Sequence, residues 1–263
     1  MPRMLTPRLI ACDVDGTLLP EGQAQLAPET VTLIERLLDA GIAFMPASGR
    51  QIPNLQHVFA QFIDRIPIVA ENGTIALLGD EMVFRAQMDQ ALGREIIRTI
   101  QQREPYEALV SGVRISYIHP KNPAFVDHMR KDIRYECKIV ENLLDIPEPY
   151  SKITAYHPDV ASDAAFWHER FGTRCVVAIS GLTWIDFMPS GISKASGLAA
   201  VCKRLGISPT ECLAIGDNDN DVEMFDFAGH AIAMETGSPA ARAHAQETTP
   251  GPNAVFMRIL ESL

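Results

Sequence analysis

The chain has 263 residues, 47% of them hydrophobic and 21% charged, which suffices for a buried core and excludes a disordered chain. Lys plus Arg number 23 against 33 for Asp plus Glu, a net charge of -10, and no basic run is longer than Arg130-Lys131, so nucleic acid is not an expected partner. The five cysteines (Cys12, Cys137, Cys175, Cys202 and Cys212) lack CxxC spacing, which argues against a zinc site or disulfide framework. With no signal peptide and no apolar window of roughly 18 residues, the expectation is a soluble, cytoplasmic protein without a membrane partner.

Leu9 to Cys12 is an unbroken apolar run ending in Asp13, the pattern of a strand buried on both faces. Pro28 to Ala40 predicts a helix, with Pro28 in its first turn and Gly41 as its stop. Ile42 to Pro46 is a second buried strand, followed by Ala47-Ser48-Gly49-Arg50 and a helix over 52–62. Ile66 to Ala70 is a third, ending at Glu71-Asn72-Gly73. Strands alternating with helices predict a Rossmann-like, doubly wound parallel α/β sheet. Ligands of such sheets sit at the strands' carboxyl ends, so the polar segments at 13–17, 48–50 and 71–73 should converge.

The rhythm changes at a hairpin around Gly79-Asp80. Residues 86–187 mix helices at 89–103, 123–131 and 160–171 with strands at 107–111, 114–118, 152–156, 175–179 and 183–187. This predicts an inserted α+β domain with an antiparallel sheet. The α/β rhythm resumes with a helix from Ser193, a strand over 212–215, a strand over 231–234 and two C-terminal helical segments. The expected division is 1–85 plus 188–263 for the core and 86–187 for the insertion.

Asp13 and Asp15 leave the first strand two residues apart, so an extended backbone would point both carboxylates to one side. Such a pair is costly unless a cation sits between the two, and oxygen ligands suit Mg²⁺. An Asx-type turn explains an isolated DxD equally well. Ser48-Gly49 offers a hydroxyl and an unhindered N–H for a phosphate, or a cap for the next helix. Lys194 opens a helix, where a cation is mildly unfavourable unless an anion is near. Asp217-Asn218-Asp219-Asn220-Asp221 is not an EF-hand, since Val222 and Ala228 stand at its sixth and twelfth positions. A metal site at a strand end is left.

In this order, Asp13-Val14-Asp15-Gly16-Thr17-Leu18, Ser48-Gly49-Arg50, Lys194 and Gly216 to Asp221 resemble the four motifs of the haloacid dehalogenase-like phosphatases. Glu71-Asn72-Gly73 and Gly191-Ile192-Ser193-Lys194 resemble the Cof-type branch, whose members carry an α/β cap between the second and third motifs. The second motif has Ser48 where Thr is common, and Ala195 follows Lys194 where Gly is common.

The resemblance implies a Mg²⁺-dependent phosphatase acting on a small phosphate monoester, such as a sugar phosphate. Asp13 would be the nucleophile and Asp15 the general acid and base. The metal would be held by Asp13, Asp217 and the backbone carbonyl of Asp15. Ser48, Gly49, Lys194 and Asn220 would hold the phosphoryl oxygens. Thr17 would orient Asp15, while Asn72 and Asp221 would support the site and Asp219 would be solvated. The cap would close over the core, with Arg114 and Ser111-Gly112-Val113 as candidate substrate contacts. Trp184, Phe187 and Asp186 read as structural, and His119 and His157 as loop residues. A phosphotransferase or phosphomutase using the same aspartate, and an inactive binding protein of the same fold, are the rival readings. Monomer and homodimer are both compatible.

Overall fold

The structure is a computed structural model that describes residues 6–20, 22–113, 115–133, 135–180 and 182–263. Arg114, a candidate contact above, lies outside the described residues. In chain order the elements begin with β1 (Leu9–Cys12), α1 (Pro28–Asp39), β2 (Ala43–Pro46), α2 (Ile52–Val58), β3 (Pro67–Ala70), β4 (Ile75–Leu78) and β5 (Glu81–Arg85). Then follow α3 (Gln90–Gln102), β6 (Glu107–Ser111), β7 (Ser116–Ile118), α4 (Pro123–Asp127), β8 (Cys137–Ile139), β9 (Lys152–Tyr156), α5 (Ala164–Phe171), β10 (Cys175–Ser180) and β11 (Trp184–Pro189). The chain closes with α6 (Lys194–Leu205), β12 (Cys212–Gly216), α7 (Val222–Phe227), β13 (His230–Met234), α8 (Pro239–His244), β14 (Glu247–Thr249) and α9 (Pro252–Glu261).

Two compact units divide these elements. One comprises the chain up to Ser48, Leu55–Phe84 and Ser193–Leu263; the other comprises Gly49–Asn54 and Arg85–Ile192. The first unit is built on a five-stranded parallel sheet in the order β14-β13-β12-β1-β2. Apart from the edge strand β14, its strands are largely apolar and buried because helices cover both faces. Leu9, Ala11 and Ala214 pack with Leu198 and Val201 of α6 and with Met224 and Phe225 of α7. Phe44 of β2 meets Phe256 of α9 edge-on, with ring centroids 5.8 Å apart. This is the doubly wound α/β architecture. The third strand departs from expectation. β3 pairs antiparallel with β4 and reaches the parallel sheet through one bridge, Ala47 to Val69. The hairpin after Gly73 recruits it, since two adjacent strands joined by a tight turn pair most readily.

The second unit is α+β. Its six-stranded sheet runs β10-β11-β9-β6-β7-β8, antiparallel except for the β7–β8 pair. Period-two alternation sends Ala108, Val110, Ile153, Ala155, Ile185 and Phe187 to one face. There they meet Ile96, Ile97 and Ile100 of α3 and Trp167 and Phe171 of α5. The opposite face carries Leu109 and Ile118 against Phe125 and Met129, and a buried polar group further along. Phe187 is core, as its apolar alternation predicts. Among the described residues no helix is long and apolar enough to cross a membrane.

Candidate active site

The strand order places β1 between β12 and β2, so connections leave in opposite directions at the β1–β12 boundary. That is the switch point where parallel sheets open a crevice at their carboxyl ends. Asp13 follows β1 there and Asp217 follows β12. The Asp13 N–H donates to the Ile215 carbonyl at 2.8 Å, extending the ladder by one residue and fixing the start of its side chain.

Lys194 is the first residue of α6 and is 1% exposed. Its ammonium donates to Asp13 Oδ1 at 2.5 Å and to Asp221 Oδ1 at 2.6 Å. Those anions answer the unfavourable cation at a helix start. Asp221 is fully buried, and its other oxygen accepts from the N–H groups of Asp217 at 2.9 Å and Asn218 at 3.0 Å. It therefore holds Lys194 with one oxygen and the shape of its own loop with the other.

The partners of Asp13 are not those the DxD spacing suggests. Carboxylate oxygens of Asp13, Asp217 and Asp221 lie within 4.8 Å of one another, whereas Asp15 is exposed and outside that group. The chain turns directly after Asp13, with Leu19 N–H donating to the Val14 carbonyl at 2.8 Å and Gly16 at φ 84°. This turn breaks the extended geometry that would align residues 13 and 15. The Thr17 hydroxyl donates to Asp217 Oδ1 at 2.9 Å, tying the first motif to the fourth. Gly16 is required here, since a Cβ would lie 2.4 Å from Asp217 Oδ2.

The segment after β3 joins the other motifs. Glu71, Asn72 and Gly73 take φ values of 51°, 55° and 92°, three consecutive left-handed residues. A Cβ on Gly73 would lie 1.9 Å from the Ser193 carbonyl oxygen, so the turn presses against the start of α6. The Asn72 N–H donates to the Ser48 carbonyl at 2.9 Å, and its side-chain oxygen accepts from Asn220 Nδ2 at 3.0 Å. Asn72 thus links two residues predicted to contact phosphate. Ser48 is buried, and its N–H donates to Val69 at 3.0 Å. Gly49 follows it and is half-buried, and Asp219 is exposed, accepting from Ser238 Oγ at 2.5 Å. The strained turn was not read from the sequence; the Asn-Gly pair, which favours positive φ, was the available signal.

Burial pushes the Asp13 carboxyl well above the usual carboxylate range, and Asp221 and Asp217 add to this against the opposing pull of Lys194. Burial and Asp221 raise Asp217 likewise. Burial alone would lower the Lys194 ammonium, but Asp13 and Asp221 outweigh it and hold the ammonium protonated. Three carboxylates against one ammonium leave two negative charges uncompensated when all are ionised. Since both oxygens of Asp221 serve the protein, Asp13 and Asp217 are the side chains with chemistry to offer a hard divalent cation, and the donor set fits Mg²⁺.

The chain belongs to the haloacid dehalogenase-like hydrolases: the family model of that description matches residues 10–254. Among its relatives is 5-amino-6-(5-phospho-D-ribitylamino)uracil phosphatase YbjI of Escherichia coli, 27% identical over 241 residues that cover 91% of this chain and 89% of that one. Another is HMP-PP phosphatase of Citrobacter koseri, 26% identical over 239 residues, covering 88% and 85%. A crystal structure from Eubacterium rectale has a TM-score of 0.85 at 26% identity, over 98% of this chain and all of that one.

Proposed function

We infer that the protein is a Mg²⁺-dependent phosphatase of small phosphate monoesters that works through an aspartyl-phosphate on Asp13. The observation that carries this reading is the Lys194 ammonium held between Asp13 and Asp221, beside Asp217, at the switch point of the sheet. A lysine buried so completely is costly unless its charge is used. The phosphatase names of the two relatives, one for a phosphorylated ribityl compound, support a small phosphorylated metabolite as substrate.

In this reading Asp13 attacks phosphorus and the ester oxygen leaves with a proton from Asp15. Asp15 then takes a proton from water as that water attacks the acyl phosphate, which releases inorganic phosphate and restores Asp13. Lys194 opposes the effect of burial on Asp13 and offers charge to the phosphoryl oxygens. Ser48, Gly49 and Asn220 bind those oxygens, with Asn72 holding Ser48 and Asn220 in register. Mg²⁺, held by Asp13, Asp217 and the Asp15 carbonyl, would neutralise phosphate charge when bound. The 85–192 unit serves as the cap and carries specificity.

The test is hydrolysis of a generic aryl phosphate with Mg²⁺. Asp13→Asn should abolish turnover, and a variant with near-normal turnover would remove Asp13 from the mechanism. Release of inorganic phosphate without an added acceptor separates hydrolysis from transfer.

A further inference from the structure

Two of the five cysteines meet in the first unit. Cys202 lies in the last turn of α6 and Cys212 opens β12. Each is 2% exposed, in the core shared with Leu198, Val201 and Ile207. Their sulfurs are 3.3 Å apart. A disulfide holds its sulfurs about 2.05 Å apart, so an approach of about 1.3 Å separates this contact from a bond. Cys175, by contrast, donates its S–H to the Phe171 carbonyl at 3.6 Å.

The pair is buried but sits at the edge of regular structure. The connection from Gly206 to Glu211 joins the two elements, and Gly206, Ser208, Pro209 and Thr210 are exposed. The turn around Cys202 is closed by two backbone bonds, from the Gly206 N–H and from the Ile207 N–H at 3.0 Å, both to the Cys202 carbonyl. Bonds at a helix end are among the first to open, and their opening admits a small neutral oxidant. The two sulfurs also differ. The Cys212 S–H has two acceptors in reach, the Ser208 carbonyl at 3.4 Å and Cys202 Sγ. Donated to Cys202, it holds that thiol below the ordinary cysteine range against burial, while the same contact, with burial, pushes Cys212 up. Cys202 is therefore the thiol that ionises first, with Cys212 protonated beside it.

We propose that Cys202 and Cys212 are a reversible redox pair, oxidised by hydrogen peroxide to a disulfide that fastens the last turn of α6 to the start of β12. The Cys202 thiolate attacks one peroxide oxygen, the O–O bond breaks, and hydroxide leaves to take up the proton that Cys202 lost. The Cys212 sulfur then attacks the sulfur of the Cys202 sulfenic acid, and its hydroxyl departs with the Cys212 proton as water. Two electrons pass from the thiols to one peroxide, and two waters form. Cys202 is eight residues past Lys194, roughly 12 Å along the helix, and Cys212 is five before Asp217. The bond thus ties the far ends of the elements that carry the site, and its effect is on stability.

The test treats the reduced, folded chain with hydrogen peroxide, stops the reaction with catalase, alkylates the remaining thiols in denaturant and digests with trypsin without reduction. Trypsin cuts after Lys203 and Arg204, between the two cysteines, so the bond joins two separate peptides that mass spectrometry identifies. The expected result is a linked Cys202–Cys212 pair that dithiothreitol releases, with a melting temperature about 5 °C higher in the oxidised protein than in the reduced one. Cys202→Ser should lose both the linked peptides and the peroxide-induced rise; the mapping on the wild-type chain decides the matter even if that variant does not fold. Cys202 and Cys212 recovered as thiols would overturn the proposal. So would a sulfinic acid at either position, a bond from either to another cysteine, or a linked pair with no rise in melting temperature.

Discussion

Replacing Lys194 by Met removes the cation from a site that keeps three carboxylates. The ammonium sits 2.5 Å from Asp13 and 2.6 Å from Asp221. At an effective dielectric of about 20, each contact represents about 6 kcal/mol of Coulomb attraction, most of it offset by the desolvation of the groups. Removing one partner of a buried pair leaves a net loss of about 3–5 kcal/mol. The loss should depend on pH. Asp13 and Asp217 already bind a proton more tightly in the folded protein than in the unfolded chain. Their effect on stability is therefore neutral below the lower, unfolded-state values only by comparison with protonated chains, and stability falls as pH rises from the ordinary carboxylate range through the raised ones. Without Lys194 that fall should steepen, so the variant's deficit should be larger near pH 8 than near pH 5. Mg²⁺ should recover part of it by binding the folded state alone. Urea unfolding by circular dichroism, with chelator and with Mg²⁺, measures all three effects. A deficit below about 1 kcal/mol, or one indifferent to both pH and Mg²⁺, would refute the charge balance described for this site.

Gly73→Ala should cost at least about 2 kcal/mol, because a left-handed φ is added to a clash with the Ser193 carbonyl. Lys194 Cα lies 2.8 Å from the added Cβ, so kcat should also fall, on the order of 10²-fold for a displacement near 1 Å; a thermal melt and a rate check the two effects separately. Trp167→Ala should cost about 3–5 kcal/mol, since the ring is fully buried among Tyr106, Phe166, Phe171 and Phe187. Urea titration reads that loss, and a cost under about 1 kcal/mol would mean that the core around α5 repacks.

Much of this was legible because it is local. The run Leu9 to Cys12 is a central strand, and Lys152 to Tyr156 is a strand over the predicted residues. Asp13, Lys194, Asp217 and Asp221, from distant parts of the chain, meet as the order of the motifs suggests. What was not legible depends on tertiary partners. β8 is mostly exposed and β14 reads Glu-Thr-Thr, so neither shows the apolar run of a buried strand. The turn after Asp13 separates it from Asp15, which a strict period of two cannot anticipate. Thr17 finds Asp217 two hundred residues away, and Cys202 and Cys212 bring their sulfurs within 3.3 Å without any motif spacing. The polar group of Lys152, Thr154 and Asp186 is buried on one sheet face, a burial that polar side chains at alternate strand positions do not signal by themselves.

The central claim is that Asp13 carries the phosphoryl group. The direct measurement is acid quenching during turnover of an aryl phosphate with Mg²⁺, borohydride reduction of acyl phosphate, and peptide mass spectrometry. Reduction should convert Asp13, and no other carboxylate, to homoserine, and the product should vanish when substrate is omitted. Turnover accompanied by an unmodified Asp13 and a labelled residue elsewhere would contradict the account.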